Sequence, residues 1–232
     1  MEERTGKLLH SIVKEYIKTA QPVGSKLLVD KYKLDVSSAT VRNEMALLEE
    51  EGYIHQPHTS AGRVPTEKGY QFYVDNFLAV KEPKDAVKDN LQQLLKKMAE
   101  DQQQLLKNFA KNLAESSGEM IFVGFNLYDS YYTGMANIFS QPEFAEQNLV
   151  YDISRVVDHL DEVMSRIFDL DLEKPRVMIG SQNPFGNMCS ALVTEYHLNK
   201  DRGVFGLLGP MRMDYEANLG LVNYVRELIN KI

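Results

Sequence analysis

The chain is 232 residues long, 44% hydrophobic and 25% charged, which is enough apolar material for one sizeable core or two small ones and excludes a disordered tail. Its formal charge of -7 excludes indiscriminate attraction to nucleic acid, so any such binding must be local. Cys189 is the one cysteine, the amino terminus lacks the basic-then-apolar profile of a secretory signal, and no run approaches the ~18 apolar residues of a membrane span. The expectation is a soluble, cytoplasmic protein without a membrane partner.

In chain order, Leu8, Leu9, Ile12, Val13, Tyr16 and Ile17 recur at helical spacing and predict a first helix over residues 3–20. Gln21-Pro22-Val23-Gly24 breaks it, and Ser25 is the expected cap of a short second helix through Leu27, Leu28 and Tyr32. Ser37-Ser38 opens a third helix with Val41, Met45 and Leu48 on one face, closed by Gly52. Tyr53-Ile54-His55-Gln56 and Arg63-Val64 read as strands around a turn-rich tip at residues 57–62. Helix, turn, helix and hairpin in this order make a winged helix-turn-helix. Thr66 then caps a fourth helix carrying Tyr70, Tyr73, Val74 and Phe77, and Lys81-Glu82-Pro83-Lys84 marks the expected end of a DNA-binding domain at residues 1–80.

Val87, Leu91, Leu94, Met98, Leu105, Phe109 and Leu113 predict one long amphipathic helix over residues 85–115, within a connecting segment at 81–117. Asp101 and Gln102 interrupt its apolar seam, which argues for packing at both ends over a continuous coiled coil. Residues 118–232 mix types. Strands are expected at 120–125, 177–180, 189–196 and 204–208, with helices at 151–168 and 215–229. Consecutive strands between two helices predict an α+β domain with a mainly antiparallel sheet.

The third helix carries the chemistry. Opposite its apolar side lie Ala39, Arg42, Asn43 and Ala46. Arg can bond guanine O6 and N7, Asn can bond adenine N6 and N7, and alanines permit close approach and contact with a thymine methyl. Ser37, Ser38 and Thr40 stand at the helix entry, where hydroxyls and free N–H groups suit phosphate oxygens. Between Lys18 and Asn43 five basic residues face two acids, and the hairpin adds His55, His58, Ser60 and Arg63 with no acid between Gly52 and Thr66. A basic wing suits a backbone or a minor groove. The acids Glu49-Glu50-Glu51 are expected to point away from DNA.

Other constellations carry less. His55 and His58 have metal-compatible spacing without an accompanying Cys or acidic cluster, so a wing contact is favoured over a metal site. Cys189 and His197 could be read as a thiol dyad, but strand alternation makes Cys189 a core or edge residue. Gly203, Gly206 and Gly209 do not have the dinucleotide spacing, and Arg212 with Asp214 reads as a pair that caps the last helix. No catalytic pair and no cofactor are expected.

The run Ser37-Ser38-Ala39-Thr40-Val41-Arg42-Asn43-Glu44-Met45, followed by Gly52-Tyr53, Gln56-Pro57-His58-Thr59-Ser60-Ala61-Gly62-Arg63-Val64-Pro65-Thr66 and Gly69-Tyr70, resembles the amino-terminal signature of the HrcA family of bacterial heat-inducible transcription repressors. Asn137-Ile138-Phe139-Ser140-Gln141-Pro142-Glu143-Phe144, Ile179-Gly180-Ser181-Gln182-Asn183 and Gly209-Pro210-Met211-Arg212-Met213-Asp214-Tyr215 resemble its carboxy-terminal motifs in the same order. The resemblance implies a homodimeric repressor with a GAF-like carboxy-terminal domain. It further implies binding to double-stranded DNA at the CIRCE inverted repeat ahead of chaperonin operons, and dependence on the GroEL chaperonin. Most family members are longer and carry an inserted, dimer-contacting subdomain, whereas here only residues 126–135 separate the strand at 120–125 from the Asn137 motif. That departure motivates an alternative, a regulator whose GAF-like domain senses a metabolite.

Overall fold

The computed structural model describes residues 3–98, 101–144, 159–198 and 201–231. Contacts divide the chain after Leu78, into a unit Met1–Leu78 and a unit Ala79–Ile232. Among the described residues no helix is long and apolar enough to cross a membrane.

The first unit is built from α1 (Glu3–Thr19), α2 (Ser25–Tyr32), α3 (Ser38–Glu50), a hairpin of β1 (Ile54–His55) and β2 (Val64–Pro65), and α4 (Glu67–Phe77). Leu9, Ile12 and Val13 of α1, Leu28 of α2 and Val41 and Leu48 of α3 are almost wholly buried, and Tyr70 and Tyr73 of α4 close the core. The helix starts follow local chemistry. Ser37 accepts a hydrogen bond from the Thr40 N–H and Thr66 accepts one from the Gly69 N–H, each satisfying an orphan donor. Ser25 is instead the first residue of α2, behind Gly24, which offers no side chain for capping. Gly52 ends α3 at φ +77°, and the Tyr53 N–H turns back to the Leu48 carbonyl. One buried acid joins two helices: Glu15 of α1 takes two contacts from the Lys31 ammonium of α2, at 2.8 and 2.7 Å.

The second unit has α5 (Asp85–Met98), α6 (Gln102–Ser117), β3 (Met120–Gly124), β4 (Ser130–Thr133), α7 (Met135–Phe139), α8 (Leu160–Phe168), β5 (Arg176–Ile179), β6 (Cys189–Leu198), β7 (Asp201–Pro210) and α9 (Tyr215–Ile229). The strands form one antiparallel sheet in the order β4-β3-β7-β6-β5, its centre a ten-residue ladder from Cys189↔Pro210 to Leu198↔Asp201. Side chains alternate between two cores. Ile121, Val123, Leu192, Phe205 and Leu207 pack with α5, α6 and α9, while Met120, Phe122, Ala191, Val193 and Leu208 pack with α7, α8, Leu172 and Phe185. The sheet is therefore covered on both faces, which is why β3 and nearly all of β6 are buried without polar alternation.

Three expectations change. The single helix over residues 85–115 is two helices: Asp101, expected only to weaken the seam, caps α6 by accepting the Gln104 N–H. Leu91 and Leu105 then share one core, so the segment expected as a connector is a layer of the second unit. The short link at 126–135 contains an edge strand, β4, paired with β3 from Ile121↔Thr133 to Gly124↔Ser130. Arg212 pairs with Glu143 and donates to Gln141 Oε1 at 2.6 Å, while Asp214 alone caps α9 by accepting the Ala217 N–H. Of the helix expected at 151–168, Leu160–Phe168 is helical and residues 151–158 lie outside the described residues.

Candidate nucleic-acid interface

Because Val41, Met45 and Leu48 face the core, the 3.6-residue period leaves Ala39, Arg42, Asn43 and Ala46 exposed on the other side of α3. Ser37 is exposed at the helix entry, but its hydroxyl is engaged twice, by the Thr40 N–H at 3.1 Å and the Thr40 hydroxyl at 3.0 Å. It orders the entry of α3 as well as exposing an oxygen there. Ser38 and Thr40 are half-buried beside it.

The hairpin is anchored from two sides. Val23 and Arg63 exchange backbone hydrogen bonds at 2.9 Å each way, an isolated antiparallel bridge that ties the turn before α2 to the hairpin. Gly62 permits this approach, since a Cβ there would lie 2.5 Å from the Val23 carbonyl carbon. From the other side Glu49 of α3 accepts the Gln56 N–H at 2.9 Å and the Arg63 Nε–H at 2.9 Å. The Gln56 side chain donates to the Ala61 carbonyl at 3.0 Å and spans the tip. Ser60, exposed at that tip, takes the left-handed conformation at φ +70°.

Between α3 and the hairpin lies a cleft of about 410 Å³. Arg42, Ser60 and Arg63 line it, together with Gln56, Ser25 and Lys26. The first three were expected from sequence. Gln56 and the α2 entry were not, although Lys26 belongs to the local cationic excess that could have pointed to it. His55 and His58 are exposed on the hairpin and Ala39, Asn43 and Ala46 on α3, outside the residues that line the cleft. Arg63 differs from expectation: its side chain is only 19% exposed and its guanidinium is paired with Glu49. Glu49 is turned toward the hairpin, where it accepts from Gln56 and Arg63.

Cys189 is buried, with its thiol pushed up to about 12 by burial and then by the nearby Glu119 carboxyl, the opposite of an activated nucleophile. It opens β6, whereas exposed His197 stands eight residues along that strand, roughly 26 Å away at the ordinary rise. The two make no dyad. Among the described residues no group of three or more His, Cys, Asp or Glu side chains is arranged to hold a metal ion.

The family model described as the HrcA protein C terminal domain matches residues 74–218. A protein of Thermoanaerobacter sp. (strain X514), named heat-inducible transcription repressor HrcA, is 26% identical over 99% of this chain and 96% of its own length. That alignment runs over 332 positions against 232 residues here, so about 100 positions of the relative have no counterpart. The protein of the same name from Mycolicibacterium vanbaalenii is 35% identical over 90% of this chain and 62% of its own length. A crystal structure described as a hypothetical protein superimposes with a TM-score of 0.77 at 17% identity, covering 100% of this chain and 98% of the other.

Proposed function

The chain belongs to the HrcA family, and we propose that it is a sequence-specific transcriptional repressor of heat-shock operons that binds DNA through a winged helix-turn-helix in residues 1–80. The observation that carries this reading is the exposed row of Ala39, Arg42, Asn43 and Ala46 on α3, beside a cleft whose far wall is an acid-free hairpin. Helix α3 enters the major groove. Arg42 and Asn43 read base edges, and the alanines allow the depth of entry this requires. Ser37, Ser38 and Thr40 meet phosphate at the helix entry, while His55, His58, Ser60 and Arg63 form the wing that follows the backbone.

The target that fits the family is the CIRCE inverted repeat, bound by a homodimer whose two winged helices occupy two half-sites. Repression is steric, without a catalytic step. The family's dependence on GroEL fits the same scheme, since a chaperonin that returns chains to the folded form raises the amount of active repressor. Heat diverts the chaperonin to other clients, and repression falls. Residues 118–232 take the role of the family's GAF-like domain. The apolar crevice between Leu106, Phe109 and Leu113 of α6 and Ile121 of β3 has a volume of about 10 Å³, no larger than a water molecule.

Gel-shift titration of the full chain on a CIRCE duplex at fixed salt tests the reading face. Arg42→Ala and Asn43→Ala are each expected to weaken binding by ~1–3 kcal/mol and to relax base preference. Unchanged affinity in both variants removes α3 as the reader.

A further inference from the structure

We propose that Glu49 is the positioning residue that sets the wing against the reading helix, so that an acid beside the DNA surface strengthens specific binding. This inference rests on the DNA-reading surface proposed above. The hairpin cannot fix its own place. Its ladder is two residue pairs long, Ile54↔Pro65 and His55↔Val64, and Pro65 has no N–H to donate. A hairpin that short has no independent stability in water, so its position depends on what pins it to the rest of the unit.

One pin is the Val23–Arg63 bridge, which ties the hairpin to the turn before α2. The side-chain pin to α3 is Glu49, with both carboxylate oxygens committed. It adds to the Tyr53 N–H bond to the Leu48 carbonyl and the burial of Ile54, which fix the root of the hairpin and leave its tip free. Oε1 accepts the Gln56 N–H at 2.9 Å, while Oε2 accepts Arg63 Nε at 2.9 Å and stands 2.8 Å from Nη2. The two bonds grip opposite ends of the tip, because Gln56 follows β1 and Arg63 precedes β2. The Glu49 side chain is 33% exposed and that of Arg63 19%, so the pair is partly shielded from water and holds its geometry better than an open surface pair. Arg42 and Arg63 both line the cleft, and the distance between the helix that reads and the wing that follows is set from Glu49.

Simple electrostatics predicts the opposite sign. Deleting a carboxylate near DNA should strengthen binding to every duplex, specific or not. The positioning role predicts that Glu49→Ala lowers the ratio of affinities for a CIRCE duplex and a scrambled duplex of equal length by about tenfold. Affinity for the scrambled duplex is expected to stay level or tighten. Glu49→Gln, which keeps an acceptor for the Gln56 N–H and releases Arg63, should lower the ratio less. Arg63→Ala should resemble Glu49→Ala, and the double variant should be no worse than either single one.

The experiment is fluorescence anisotropy of the full chain on both duplexes across a salt series, with thermal melts showing that each variant is folded. Glu49 is rejected as a positioning residue if Glu49→Ala tightens both duplexes equally and leaves the ratio unchanged. It is rejected also if Arg63→Ala alone flattens the salt slope by about one unit with the ratio intact, the signature of an independent phosphate contact. Arg42→Ala separates the two levels of failure. If it lowers the ratio while Glu49→Ala does not, only the positioning role falls, and if neither variant lowers it the reading face falls with it.

Discussion

The two units differ in where most of their polar chemistry lies, although the first also buries Ser11, Glu15 and Glu44. In Met1–Leu78 the informative groups stand at the surface: Arg42 and Asn43 are exposed, and Glu49 with Arg63 forms a pair at the edge of an open cleft. In Ala79–Ile232 the informative groups are inside, with Glu119, Asn183, Ser190, Thr194, Glu195, Glu216 and Asn218 all buried. Two of the carboxy-terminal motifs meet in this unit, where partly buried Arg212, just past β7, pairs with Glu143 and bonds Gln141, and Glu119 lies against Gly209, leaving no space for a Cβ at that position. A surface arrangement can exchange partners with a ligand at little cost, whereas a buried one is held by the desolvation penalty of breaking it. The first unit is thus suited to recognition, and the second to keeping a single structure.

If that contrast holds, substitutions in the two units should separate binding from stability. The largest effect is expected for Phe122→Ala, which empties a fully buried site against Phe185 and should cost ~3–5 kcal/mol of stability in denaturant titration. A loss below about 1 kcal/mol would mean that this core collapses around the gap.

Glu119 comes next. Burial pushes its carboxyl up to about 8, against the opposing influence of Asn218 and Arg212, so the folded chain holds a proton that the unfolded chain releases near 4.5. The native state then binds more protons between those values, and stability should fall as pH rises from about 4.5 to 8. Glu119→Gln should flatten that decline, be more stable than the parent at pH 8 by on the order of a few kcal/mol, and melt higher there. Parallel melting curves for parent and variant across this range would place a charged, compensated carboxylate at the site.

Arg42→Ala is expected to cost ~1–3 kcal/mol of operator binding with its melting temperature unchanged. A large loss of stability there would blur the division between the units. The smallest effect is expected for Ser37→Ala, which removes the cap of α3 and should cost ~1 kcal/mol of stability, read in the same melts.

Much of the first unit was legible because its signals are local. Ser37 and Thr66 act within four residues of themselves, Gly52 needs only its own backbone, and the exposed row on α3 follows from helical period. The departures come where two distant groups compete for one partner. Arg63 reads as a free cation in a stretch without acids, but Glu49, fourteen residues earlier, reaches it across the fold. Arg212 reads as a partner for neighbouring Asp214, but Glu143 lies closer in space.

The amino-acid sequence by itself determined the boundaries of most elements, the face of α3 that is left to solvent, and the family. Spacing and capping are properties of a few consecutive residues. Tertiary structure alone decided that the connecting segment folds as two helices that share a core with the sheet, that residues 130–133 become its edge strand, and that Glu49 bonds the hairpin at Gln56 and Arg63. Each of these outcomes depends on which surfaces and charges remain unpaired after the local elements have formed, and that is settled by packing in three dimensions.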